Sequence, residues 1–140
     1  MDTQGLQVLI VDDEPEIGAF LTDLLTAQGF CCTWVDNGPA ALDEIGPLSP
    51  SIVLLDIMMP GMGGLEVLRQ IRGREDADPI VIMISCLEHP STTQRALDEG
   101  ADHFVVKPFR VKDLLDTLQH VLNRRKSDGG PPAPEHRVDG

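Results

Sequence analysis

The chain has 140 residues, 41% hydrophobic and 24% charged, with a formal net charge of −12. That length suits one domain with a real core and not two, and the acidic balance argues against direct nucleic-acid binding, which needs Lys and Arg to meet phosphate. The N-terminal MDTQGLQ lacks a signal-peptide pattern and no apolar run approaches the ~20 residues of a membrane helix, so a cytoplasmic protein with no membrane partner is expected.

Strand and helix signals alternate along the chain. Val8–Val11 is a short apolar run that ends in Asp12 and Asp13. Pro15 fits the first turn of a helix, Ile17, Phe20, Leu21, Leu24 and Leu25 recur at helical spacing, and Gly29 stops it. Cys31–Val35, with Trp34, reads as a second strand, Asn37-Gly38-Pro39 as a turn, and Ala41, Leu42 and Ile45 as a short helix. Ile52–Leu55 is a third strand, and Leu65, Leu68 and Ile71 mark a helix ending near Gly73. Ile80–Ile84 is a fourth strand ending at Ser85, followed by a weakly amphipathic helix over Thr92–Glu99. Phe104–Val106 is a fifth strand ending at Lys107-Pro108, and Val111, Leu114, Leu115, Leu118, Val121 and Leu122 mark a final helix.

Five such units, with strands that are continuous apolar runs, predict an α/β fold: a doubly wound, five-stranded parallel sheet covered by five helices. The domain is expected over residues 6–126. From Ser127 the composition turns to Gly, Pro and polar residues, so 127–140 is expected to be a flexible tail or linker. The three cysteines, Cys31, Cys32 and Cys86, lack metal-ligand spacing and read as buried or half-buried free thiols. His89, His103, His120 and His136 are scattered and read as surface residues; Trp34 reads as core or strand-face packing.

The stretch VLLDIMMPGMGG, residues 53–64, puts one acid at the end of a run buried on both faces, and Pro60-Gly61 then force a loop. Asp56 is therefore expected at the carboxyl tip of a central strand, where α/β proteins place their chemistry. In a parallel sheet the carboxyl ends of the strands share one edge. Asp12 and Asp13, Asp56, Ser85 and Lys107 all meet there. Asp13 alone could be a helix cap; the set together calls for another explanation. Three crowded carboxylates repel one another unless a cation neutralises them, and Mg²⁺ is the natural oxygen-loving choice. A carboxylate nucleophile, a Mg²⁺ site, a lysine and a hydroxyl are the parts needed to accept a phosphoryl group.

The runs VDDEPEI (11–17), VLLDIMMPGMGGLE (53–66), IMIS (82–85) and GADHFVVKPF (100–109) resemble the CheY-like receiver domain of bacterial two-component response regulators. The resemblance implies that Asp56 is the phosphoacceptor, with Asp12, Asp13, Asp56 and the backbone carbonyl of Met58 holding Mg²⁺. It makes Ser85 and Phe104 the switch pair and Lys107 the cation that bonds a phosphoryl oxygen, with a cis peptide between Lys107 and Pro108. It implies a sensor histidine kinase or histidine phosphotransfer protein as donor. The output would pass through helix 4, strand 5 and helix 5 to an effector domain, a partner protein or a homodimer.

Three departures from the family pattern stand out. Cys86 replaces the usual Ala or Gly beside the switch hydroxyl, and is expected to narrow access to the acceptor. Met58 and Leu87, apolar where receivers tune phosphoryl lifetime, cannot orient an attacking water. His103 and Thr117 stand where receivers that drive winged-helix domains usually carry an acid and an Arg for dimer salt bridges. Competing readings are a receiver fold serving as a phosphorylation-independent interaction module, and an aspartate-nucleophile phosphatase. The phosphatase would need a second Asp two residues after Asp56, where Met58 stands. A flavodoxin-like carrier would need a phosphate-cradling loop where the chain has acidic DDEPE. The expected protein is thus a switch and not a turnover enzyme.

Overall fold

The structure is a computed structural model that describes residues 4–86 and 90–129. The elements run β1 (Gln7–Val11), α1 (Pro15–Ala27), β2 (Cys31–Val35), α2 (Gly38–Leu48), β3 (Ile52–Asp56), α3 (Gly64–Arg72), β4 (Ile80–Ser85), α4 (Pro90–Asp98), β5 (His103–Val106) and α5 (Val111–Gly129). Five parallel strands form one sheet in the order β2-β1-β3-β4-β5. The sheet and α1–α4 lie in a compact unit spanning Asp2–Pro108; α5 belongs to a second unit that begins at Phe109. Along α5, Leu114, Leu118 and Val121 recur at helical spacing.

The period of two in a strand divides the sheet unit. Leu9, Val11, Val53, Leu55, Val81 and Met83 join Ala41 and Ile45 of α2, Val67, Leu68 and Ile71 of α3, and Ala96 of α4 in one continuous core. The alternate residues Val8, Ile10, Leu54 and Ile82 are equally buried on the other face, where α1 lies against β1 and β2. The three central strands are therefore dry on both faces, as their unbroken apolar runs required.

The edge strands differ from that expectation. β2 is exposed or half-buried along its length and β5 buries only Val105. An edge strand has one neighbour and incomplete cover, which apolar composition does not reveal. On β2, Cys31 is accordingly exposed and Cys32 half-buried; Cys86, just past the end of β4, is exposed as well. Phe20 of α1 also remains 44% exposed. Asn37-Gly38-Pro39 is a helix start and not a turn: Asn37 caps α2 by accepting the Ala40 N–H at 2.8 Å, with Pro39 in the first turn. The last helix runs on through Gly129, past the change in composition at Ser127. Leu87, His89, His136 and the expected tail from residue 130 lie outside the described residues.

The loop from β3 to α3 leaves the strand at buried Asp56, and it is closed by a glycine. Gly64 N–H donates to the Ile57 carbonyl at 2.9 Å. A Cβ on Gly64 would overlap the Asp56 carbonyl oxygen and stand 2.7 Å from Ile57 Cα. Backbone, not a movable side chain, occupies that space. Gly64→Ala is expected to lower stability by about 2 kcal/mol, as overpacking at a rigid site does, read as a lower urea midpoint with an unchanged slope.

Candidate functional site

Each polar residue reaches the site because a strand ends there. Asp12 follows β1, Asp56 closes β3, Ser85 closes β4, and Lys107 follows β5. In the order 2-1-3-4-5 the chain reverses direction across the sheet between β1 and β3, the switch point at which open α/β sheets bind ligands. Asp12 and Asp56 flank that point. Carboxylate oxygens of Asp12, Asp13 and Asp56 lie within 4.8 Å of one another. Asp12 and Asp56 are buried and Asp13 is half-buried. A cavity of about 360 Å³ opens beside them, lined by Asp13, Glu14, Asp56, Met58, Cys86 and Lys107.

Lys107 is the counter-charge. Its Nζ donates to Asp12 Oδ2 at 3.0 Å, Glu14 Oε1 at 3.0 Å and Asp56 Oδ2 at 3.4 Å. Burial works against the ammonium, but the hydrogen bonds to Asp12 and Glu14 and the charge of Asp56 outweigh it, and its pKa rises above the ordinary lysine value. Its own N–H donates to the Ser85 carbonyl at 2.9 Å, joining the ends of β4 and β5, and the Lys107–Pro108 peptide is cis. Ser85 is fully buried. Phe104, opposite Met83 on β4, is half-buried and packs on the core.

The backbone also holds the acids. Met58 N–H donates to Asp56 Oδ1 at 3.1 Å, and Glu14 N–H donates to Asp12 Oδ1 at 2.9 Å. Glu14, not Asp13, is the N-cap of α1, and no side chain caps that helix. Asp13 is thus not serving as the cap that its position allowed. The Met58 side chain is 53% exposed at the rim and carries no acid. Glu14 and Trp34, whose indole Nε1 donates to the Asp12 carbonyl at 2.9 Å, are the two site residues that sequence reasoning missed. The acidic run DDEPE held a signal for Glu14. Nothing local in the sequence tied Trp34 to Asp12, 22 residues away.

The site is built of hard oxygen donors with no sulfur or imidazole within the cluster, which fits Mg²⁺. Without a cation the arrangement is strained electrostatically. Burial lifts the Asp56 carboxyl from 3.8 to about 6, with Lys107 opposing the rise and Asp12 adding to it. Because the folded value lies above the unfolded one, the folded chain holds more protons between these values, and stability falls as pH rises through that window. Asp56→Asn is therefore expected to be more stable than wild type at pH 7.5 without divalent cation, by on the order of 2 kcal/mol. The difference should close by about pH 4. Urea midpoints across this range test it; equal midpoints at pH 7.5 would mean that Lys107 already offsets the burial of the charge.

A family model for the response regulator receiver domain matches residues 8–119. The DNA-binding response regulator MtrA of Mycolicibacterium smegmatis is 34% identical over 128 residues, covering 91% of this chain and 55% of that protein. The sensory transduction protein RegX3 of Mycobacterium tuberculosis is 40% identical over 121 residues, covering 86% of this chain and 52% of that protein. The chain thus spans about half the length of these relatives. Among solved structures, the BeF3-activated N-terminal receiver domain of RstA from Klebsiella pneumoniae superposes with a TM-score of 0.77 at 26% identity, covering 81% of this chain and 96% of that one. With its 2-1-3-4-5 sheet and an acidic cluster at the switch point, the chain belongs to the response regulator receiver domains of two-component signalling systems.

Proposed function

We propose that this domain is a phosphorylation-controlled switch that accepts a phosphoryl group on Asp56 from a sensor histidine kinase or a histidine phosphotransfer protein. The observation that carries this reading is the juxtaposition of Asp12, Asp13 and Asp56 within 4.8 Å, with Lys107 at 3.4 Å from the acceptor carboxylate. Asp12, Asp13, Asp56 and the Met58 carbonyl would hold Mg²⁺. When bound, the ion neutralises charge on the transferring phosphoryl group.

An Asp56 oxygen attacks the phosphorus of a phosphohistidine; the P–O bond forms as the P–N bond breaks, and the leaving imidazole takes a proton from water. Lys107 trades its contacts with Asp12 and Glu14 for one with a phosphoryl oxygen. Ser85 donates its hydroxyl to another, and Phe104 follows into the space Ser85 leaves. The change passes to α4, β5 and α5, whose surface contacts an effector domain, a partner protein or a second copy. The exposed, apolar Met58 offers no general acid, so the reading is a signalling domain and not an aspartate-nucleophile phosphatase. No described helix is long and apolar enough to cross a membrane.

Incubation with Mg²⁺ and phosphoramidate is expected to raise the intact mass by about 80 Da, one phosphoryl group, in wild type and not in Asp56→Asn or without Mg²⁺. No gain in folded wild type, either with phosphoramidate or with a phosphorylated histidine kinase domain, would favour a phosphorylation-independent interaction module. Cys86 is exposed and lines the acceptor cavity, so Cys86→Ala is expected to speed phosphorylation by the small donor severalfold. An unchanged rate would show that the thiol does not restrict entry. With apolar Met58 and Leu87 in place of water-orienting groups, the phosphoryl state is expected to outlast minutes; decay within seconds, followed by mass after donor removal, would overturn that expectation.

A further inference from the structure

Trp34 is the only tryptophan in the chain, and it is placed oddly for a residue of its size. It sits on edge strand β2 opposite Ile10 and remains 37% exposed. Hydrophobic burial alone therefore does not account for it. Its ring lies over α1 at Gly18, where a Cβ would overlap Cε2 and Nε1 and stand 2.8 Å from Cδ1. The missing side chain at Gly18 and the large one at Trp34 fit each other. From that seat the indole N–H reaches the Asp12 carbonyl at 2.9 Å.

Asp12 stands one residue past the end of β1, where the ladder with β2 closes on the bond from Asp12 N–H to the Val35 carbonyl at 3.2 Å. Its carboxylate is tied on one side by Glu14 N–H and on the other by Lys107. Its carbonyl is half of the planar peptide that leads into Asp13. Fixing the direction of that carbonyl fixes the whole plane and narrows where Asp13 can point. Asp13 receives no helix-capping role that would hold it otherwise.

We propose that Trp34 is a positioning residue for the cation site: its indole N–H holds the Asp12–Asp13 peptide in the setting that presents the Asp13 carboxylate beside Asp12 and Asp56. The inference rests on the reading of those three acids as a Mg²⁺ site. It also makes Trp34 of β2, 22 residues away from Asp12 in sequence, part of the machinery that sets cation affinity.

The test is calorimetric titration of the full chain with Mg²⁺ alone, comparing wild type with Trp34→Phe, which keeps a ring over Gly18 and removes the N–H. The Mg²⁺ Kd is expected to rise about fivefold, the size of effect one hydrogen bond supplies. A lower urea midpoint with an unchanged Mg²⁺ Kd would assign Trp34 a merely structural role and overturn the proposal. A second measurement needs no variant: the single indole N–H resonance in a ¹H–¹⁵N spectrum of wild type should move during the Mg²⁺ titration, with the calorimetric midpoint. It should not move in Asp13→Asn. An indole resonance that stays still while wild type binds Mg²⁺ would overturn the proposal alone. Wild type that binds no Mg²⁺ would overturn the reading beneath it as well.

Discussion

Crowding of like charge at one edge of the sheet is the constraint on which this molecule turns. Three carboxylates stand within 4.8 Å, two of them buried, a grouping that cannot be withdrawn from water without compensation. The fold compensates with a single ammonium. Lys107 reaches Asp12, Glu14 and Asp56 at once, and backbone N–H groups of Glu14 and Met58 take one oxygen each of Asp12 and Asp56. The compensation is incomplete, because Asp56 still has its carboxyl held well above the ordinary value by burial. An under-neutralised site favours a species that brings positive charge, and a lysine shared among three acids can exchange one partner for another. Both properties are what the proposed function asks of the site.

How much of this could be read from the sequence depended on whether a residue's environment follows from its neighbours in the chain. The central strands declared themselves, because a strand covered on both faces must be apolar at every position, and Val53, Leu54 and Leu55 are. The meeting of Asp12, Asp56, Ser85 and Lys107 was legible for a topological reason: parallel strands put every carboxyl end on one edge, so knowing what ends each strand is enough. Burial at the edges was not legible. Cys31 and Trp34 have strand-like neighbours, yet their exposure depends on β2 being outermost, and strand order is a long-range property. Asn37-Gly38-Pro39 was ambiguous in principle, since Asn and Pro favour both turns and helix starts. Trp34 and Asp12 meet across two elements and carry no shared motif.

Membership of the receiver family and the particular use of this receiver are separate matters, and the chain departs from the family pattern mainly in the second. In the proposed function Asp12, Asp13, Asp56, Ser85 and Lys107 carry the chemistry, while Cys86 and Met58 line the same cavity as Asp56. A change at either rim position would act on donor entry and water access and leave the acids and the lysine in place.

The same division appears at the start of β5. Receivers that drive winged-helix domains usually carry a second acid where His103 stands; here the neighbouring acid, Asp102, is tied into the fold. Asp102 Oδ2 accepts from Val81 N–H at 2.8 Å and from Arg72 at 2.9 Å, and the Asp102 N–H donates to the Val81 carbonyl at 2.8 Å. Arg72 in turn donates to the carbonyls of Gly100 and Pro79, each at 2.8 Å. Asp102 is therefore half of an internal clamp that joins the end of α3 to the start of β4 and to the loop before β5. Turning it outward would take the partner from Arg72 Nη2 and the acceptor from Val81 N–H, leaving Arg72 with the exposed Asp78 carboxylate at 3.2 Å as its ion-pair partner. Asp102 is thus committed to holding the end of α3, the start of β4 and the loop before β5 together.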